Sequence, residues 1–92
     1  MKSFWIKMGD KYLSKIEVGT LKVTYPSGEK RSYGHGESPV VEVTIHSAEF
    51  FKRLALYGDI GFAESYMDGD FDTPSLSELV KLALLNSHKL GQ

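Results

Sequence analysis

The chain has 92 residues, 41% of them hydrophobic and 12% aromatic, and a formal net charge of −1. That is material for one domain, which at this size buries roughly 60 to 65% of its unfolded surface. It contains no cysteine, which excludes disulfides, thiolate catalysis and thiolate metal sites and fits a reducing compartment.

No apolar run approaches the ~20 residues of a membrane span. Residues 1–7 lack the uninterrupted apolar stretch and small-residue cleavage site of a secretory signal, so the expected location is the cytoplasm. Charge is uneven along the chain: residues 1–31 hold seven bases against three acids, a balance of +4, and residues 32–92 hold four bases against nine acids, a balance of −5. The basic part suits an anionic lipid surface, peripheral to the inner face of a membrane; ordinary solvation of exposed faces is the plainer account. Nucleic acid is not an expected partner.

Residues 1–18 carry a helical period. At roughly 100° per residue, Met8, Tyr12, Trp5, Ile16, Leu13 and Ile6 fall within an arc of roughly 160°, with Lys7, Lys11 and Lys15 opposite. Phe4 and Gly9 weaken the pattern. An apolar arc of that width docks a helix on its own core; a basic amphipathic helix with Trp5 on one face also suits a bilayer interface, with Lys7, Lys11 and Lys15 toward anionic headgroups.

Residues 19–46 read as strands. Leu21, Val23 and Tyr25 alternate with Lys22 and Thr24, the period of a half-buried strand. Tyr25-Pro26-Ser27-Gly28 has proline and glycine where a type I turn favours them, so residues 29–33 return as the paired strand of a hairpin. After a loop over residues 34–39, Val41, Val43 and Ile45 alternate with Glu42 and Thr44 in a third strand.

Residues 47–92 turn helical. Ser47 suits an N-cap for a helix over residues 48–57 that buries Phe50, Phe51 and Leu54, with Gly58 at the C′ position. Residues 58–72 are punctuated by Gly58, Gly61 and Gly69 among aromatic and acidic side chains, which reads as a tightly turned connection built for a site or an interface. A last helix starts either at Thr73 with Pro74 in the first helical position or at Ser75 with Glu78 completing a capping box. Leu76, Leu79, Val80, Ala83 and Leu84 share its apolar face. The order implies an α+β domain, a small antiparallel sheet covered by helices.

Most candidate chemistry fails on spacing. Asp68, Asp70 and Asp72 open like a calcium loop, but Thr73 and Leu79 stand where glycine and glutamate are required. His35, His46 and His88 share no zinc-site register, and Gly34-x-Gly36 meets Pro39 where a dinucleotide fingerprint needs its third glycine. Glu64 has two readings. Either it bonds backbone amides of the glycine-punctuated segment while Phe62, Tyr66 and Met67 pack inward, or Glu64, Ser65 and Tyr66 face a partner domain. One carboxylate without a matched acid, base or nucleophile is not a catalytic constellation, and no catalytic residue is assigned.

Residues 61–72, Gly-Phe-Ala-Glu-Ser-Tyr-Met-Asp-Gly-Asp-Phe-Asp, with Pro74, Leu76 and residues 79–85 after them, resemble a signature in the N-terminal part of cyclopropane-fatty-acyl-phospholipid synthases. Residues 19–29 resemble that family's early strand and Pro-x-Gly turn, and residues 41–51 its next strand and helix. The likeness runs over about residues 19 to 86; the full synthases continue into a long methyltransferase domain that this sequence lacks. The resemblance implies an N-terminal accessory domain of a fold akin to the sterol carrier protein type, associated with lipid handling and assembly. Methyl transfer from S-adenosylmethionine would belong to a methyltransferase domain of the same or a companion chain, with no cofactor held here. Phe62, Glu64, Ser65, Tyr66 and Met67 would then face that domain or a lipid. The implied partners are a phospholipid or acyl chain, peripheral membrane and a second copy in a homodimer; a free-standing lipid carrier and a dimerisation domain stand as alternatives.

Overall fold

The computed structural model describes residues 3–90. Helix α1 (Phe4–Leu13) is followed by strands β1 (Thr20–Thr24), β2 (Lys30–Gly34) and β3 (Val40–Ile45), helix α2 (Glu49–Met67), the short strand β4 (Phe71–Asp72), and helices α3 (Leu76–Leu85) and α4 (Ser87–Leu90). The class is α+β, with helices on one face of a four-stranded sheet ordered β2-β1-β3-β4.

The sheet is mixed where an antiparallel one was expected: β1 pairs antiparallel with β2 but parallel with β3, and β4 returns antiparallel on β3. The cause lies in where β2 ends. Gly34 lies opposite Thr20 at the start of β1, and Val40 lies opposite the same Thr20 on the other side. The loop between them therefore crosses the start of β1, and β3 sets out in the direction of β1 without the long crossover that a direct parallel connection needs. Thr20 holds the loop down, its amide donating to the Pro39 carbonyl at 2.9 Å and its hydroxyl to the Glu37 carbonyl at 2.9 Å. The hairpin turn closes as its sequence suggests, with the Gly28 amide donating to the Tyr25 carbonyl at 2.8 Å.

Alternation decides the two faces of the sheet. Leu21, Val23, Tyr25, Tyr33, Val41, Val43, Ile45 and Phe71 are buried beneath the helices. On the other face Lys22, Lys30, Ser32 and Glu42 are exposed, uncovered by the described residues.

The helices depart from expectation in instructive ways. The N-terminal helix is shorter than residues 1–18: Ser3 caps it by accepting from the Trp5 amide at 3.2 Å, and it ends at Leu13. Residues 1 and 2 lie outside the described residues. Its buried stripe is Ile6, Gly9 and Leu13, whereas Met8, placed inside the apolar arc by the sequence, is 47% exposed. Gly9 causes the rotation, because a Cβ there would stand 2.5 Å from the Phe51 ring and only glycine lets α1 approach so closely.

In α2 the backbone leaves the helical region at Gly58 (φ 58°, ψ −130°), as a helix end there requires, and then becomes helical again as far as Met67. The expected turned connection over residues 58–72 is thus mostly helix. Gly61, Phe62 and Ser65 form its inward stripe, and Gly61 sits so close to α2's first half that a Cβ would fall 2.0 Å from the Arg53 carbonyl oxygen. The helix ends in a Schellman motif: the Gly69 amide donates to the Tyr66 carbonyl at 3.2 Å and the Asp70 amide to the Ser65 carbonyl at 2.8 Å, with Gly69 at φ 77°.

Of the two start signals for α3 the structure uses Ser75, whose hydroxyl accepts from the Glu78 amide at 3.3 Å, while the Thr73 hydroxyl donates to the Glu42 carbonyl at 2.6 Å. The buried face of α3 is Leu79 and Leu82, with Leu76 half-buried; Val80, Ala83 and Leu84, expected inside, are exposed. Asn86 sets this rotation. Fully buried, its Oδ1 accepts from the Glu17 and Val18 amides, both at 2.9 Å, and its Nδ2 donates to the Val18 carbonyl at 2.8 Å and the Leu82 carbonyl at 2.9 Å.

Asn86→Ala is expected to cost about 2–4 kcal/mol: it removes the partner of two amides and two carbonyls, a buried group left unpaired costs about 1–3 kcal/mol, and the groups on the exposed Glu17 and Val18 regain water. Urea unfolding against the exposed control Lys81→Ala measures it; equal midpoints for the two variants would refute the clasp.

Candidate functional site

A groove of about 430 Å³ opens between α1, α2 and α4. Its floor is the contact of Gly9 with Phe51. One wall is Trp5, Met8 and Tyr12 from α1, and the other is Leu54 and Ala55 from α2. Leu90 of α4 also lines it, and Gly58 and Asp59 stand where α2 bends. Among the described residues the lining is predominantly apolar, with Asp59 as its one charged side chain. Trp5 also packs edge-on against Phe4, with ring centres 5.0 Å apart and planes at 80°. Burial pushes the Tyr12 hydroxyl above the ordinary tyrosine value.

A buried tyrosine pair holds α1 in the position that makes this groove. The hydroxyls of Tyr25 and Tyr33 are hydrogen-bonded, and that of Tyr33 donates to Asp10 Oδ1 at 2.5 Å. Arg31 approaches the same carboxylate oxygen at 3.4 Å. The chain Tyr25–Tyr33–Asp10–Arg31 ties the helix to the β1–β2 hairpin. Burial first, then the bond to Asp10, raises Tyr33 far above its usual range, and burial raises Tyr25.

The expected site residues do not form one surface. Phe62 is half-buried, its ring centre 5.2 Å from that of Phe71 and 6.3 Å from that of Phe50. Ser65 is fully buried, and its hydroxyl has no hydrogen-bond partner among the described residues. Glu64 and Met67 point outward, Met67 75% exposed, while Tyr66 lies over Phe71 with 43% exposure. The reading in which Glu64 bonds local amides is therefore corrected: at the end of the segment backbone carbonyls take the amides of Asp68, Gly69 and Asp70 instead. Met67 likewise does not pack inward. Trp5 lines the groove, and Lys7, Lys11 and Lys15 are exposed.

Lys7 and Lys11 share the solvent side of α1 with Phe4 and Met8, which are 63% and 47% exposed. Core docking and a mixed apolar–cationic outer face thus coexist on one helix. Among the described residues no group of three or more His, Asp or Glu side chains is placed to hold a metal ion, and no helix is long and apolar enough to cross a membrane.

The family model described as a domain of unknown function, DUF7884, matches residues 8–91. The chain belongs to that family. No curated protein and no solved structure matches it. The DUF7884 match spans the whole sheet, α2, α3 and α4, with most of the groove lining; Trp5 and Lys7 precede it.

Sequence reasoning singled out Trp5 but missed Leu54, Gly58, Asp59 and Leu90 as neighbours in one groove. The available signal was Gly9, a gap in an apolar arc that marks close approach of another element.

The fold favours the neutral forms of Tyr12, Tyr25 and Tyr33. The stabilisation is complete below the unfolded tyrosine value of about 10 and is lost as pH climbs beyond it. A titration of tyrosinate absorbance should show these three of the five tyrosines ionising late, Tyr33 only as the circular-dichroism signal collapses. Titration of Tyr12, Tyr25 and Tyr33 at about 10 would contradict the burial of these hydroxyls and the tyrosine–carboxylate chain.

Proposed function

We propose that this chain handles lipid, seating an acyl chain in the groove between α1 and α2, as the accessory domain of a methyltransferase that resembles the cyclopropane-fatty-acyl-phospholipid synthases. In this reading S-adenosylmethionine and methyl transfer belong to a methyltransferase domain of the same or a companion chain, and the module works in the cytoplasm at the inner membrane surface. The resemblance at residues 61–72, with the sterol-carrier type of fold that it implies, motivates it.

The observation that carries the reading is the groove. Its volume of about 430 Å³ falls in the range of small-molecule sites, roughly 300–1,000 Å³, which are mostly apolar with few polar groups. Lys7 and Lys11, beside the exposed Phe4 and Met8, supply attraction to anionic headgroups on the order of 1 kcal/mol per lysine near the surface.

Trp5 is the only tryptophan, so its fluorescence reports on the groove directly. Titration with dodecyl maltoside, kept below its micelle concentration, is expected to give a saturable blue shift. Leu54→Asp should weaken binding at least about tenfold, since a charge buried in an apolar seat costs more than the ~1.4 kcal/mol that a factor of ten represents. A linear, unsaturable response would overturn the reading.

Calorimetry with S-adenosylmethionine should show no binding to this chain alone. A low-micromolar dissociation constant would overturn the assignment of methyl transfer to another domain.

A further inference from the structure

Three features belong to the lining of this one groove. Among the described residues Asp59 is the one charged side chain of the lining, and it is exposed. Among the described residues it takes part in no ion pair. Beside it the chain bends at Gly58, where a Cβ would meet nothing within 4 Å, so the space next to the carboxylate is open. The facing wall supplies aromatic rings, Trp5 and Tyr12. The nearby cations do not compete for Asp59 from inside, because Lys7 and Lys11 lie on the exposed side of α1, Lys15 is exposed beyond its end, and none lines the groove.

A carboxylate next to aromatic rings recognises an ammonium: the carboxylate supplies a charge partner and the ring faces a negative quadrupole. The same carboxylate repels a carboxylate or sulfate end, which is discrimination by an unfavourable contact. We propose that the groove selects an amphiphile whose polar end carries an ammonium, with the cation at Asp59 beside Trp5 and Tyr12 and the hydrocarbon chain along Met8 and Leu54. This inference rests on the lipid reading above and names the headgroup chemistry of that site.

Three probes of one chain length separate the two claims: dodecyltrimethylammonium, dodecyl maltoside and laurate, each titrated as monomer against Trp5 fluorescence in the full chain. The ammonium probe should bind roughly fivefold to tenfold tighter than the maltoside, the size of an exposed cation–π contact added to a surface ion pair, and laurate should bind weakest. Asp59→Asn should abolish that order. Glu64→Gln, an exposed acid of the same helix outside the groove lining, should preserve it. If the three probes bind alike, or the preference survives Asp59→Asn, the ammonium inference falls while the lipid reading stands. If none binds, both fall.

Discussion

One buried amide side chain sets the arrangement of the helices. Asn86 uses both lone pairs of its oxygen and both protons of its nitrogen, so a polar group that would be expensive to bury unpaired becomes a fixed joint. Its partners sit in two places at once, the α1–β1 connection and the last turn of α3. It thereby rotates α3 so that Leu79 and Leu82 face the sheet, and it leads into α4, from which Leu90 reaches the groove. No apolar contact could fix that rotation as narrowly, because burial is non-directional whereas four hydrogen bonds are not.

The second fixed point is the place of α1. A glycine against a phenylalanine ring lets the helix settle onto the core, and the tyrosine–carboxylate chain sets where along the hairpin it lies. With both constraints acting on one side of the helix, its other edge is left to stand away from α2. Trp5, Met8 and Tyr12 then face Leu54 and Ala55 across open space. The groove is therefore a product of the packing, and its shape depends on residues that do not line it.

Much of this was legible in the sequence wherever a period or a cap made a local demand. The alternations in β1 and β3, the turn at Pro26–Gly28, the helix break at Gly58 and the cap at Ser75 follow from steric and hydrogen-bonding rules that act within a few residues. What was not legible depended on distant partners. The face of α3 was misread because Leu84 is as apolar as Leu82, and only Asn86 reaching across to Val18 distinguishes them. The parallel pairing of β1 with β3 required knowing that β2 occupies the other edge of β1. Gly9 was read as a flaw in an apolar arc when it is the arc's point of closest contact. The candidate site lies mostly in this second category: Asp59 and Leu90 belong to no shared pattern in the chain and line one groove with Trp5 only in three dimensions.

The span of the Asn86 clasp bears on the order of assembly. The three long strands come from residues 20–45 and can pair through short loops, whereas Asn86 meets residues 68 and 69 positions away. Closing so long a segment costs more chain entropy than closing a hairpin, and it is favoured once the sheet is there to receive it. A contact formed after the rate-limiting step holds the folded state by slowing escape from it. Asn86 accordingly acts as a latch on an already assembled sheet: its loss should steepen the escape rate and leave the refolding rate nearly unaltered, as the two arms of a denaturant chevron would register separately.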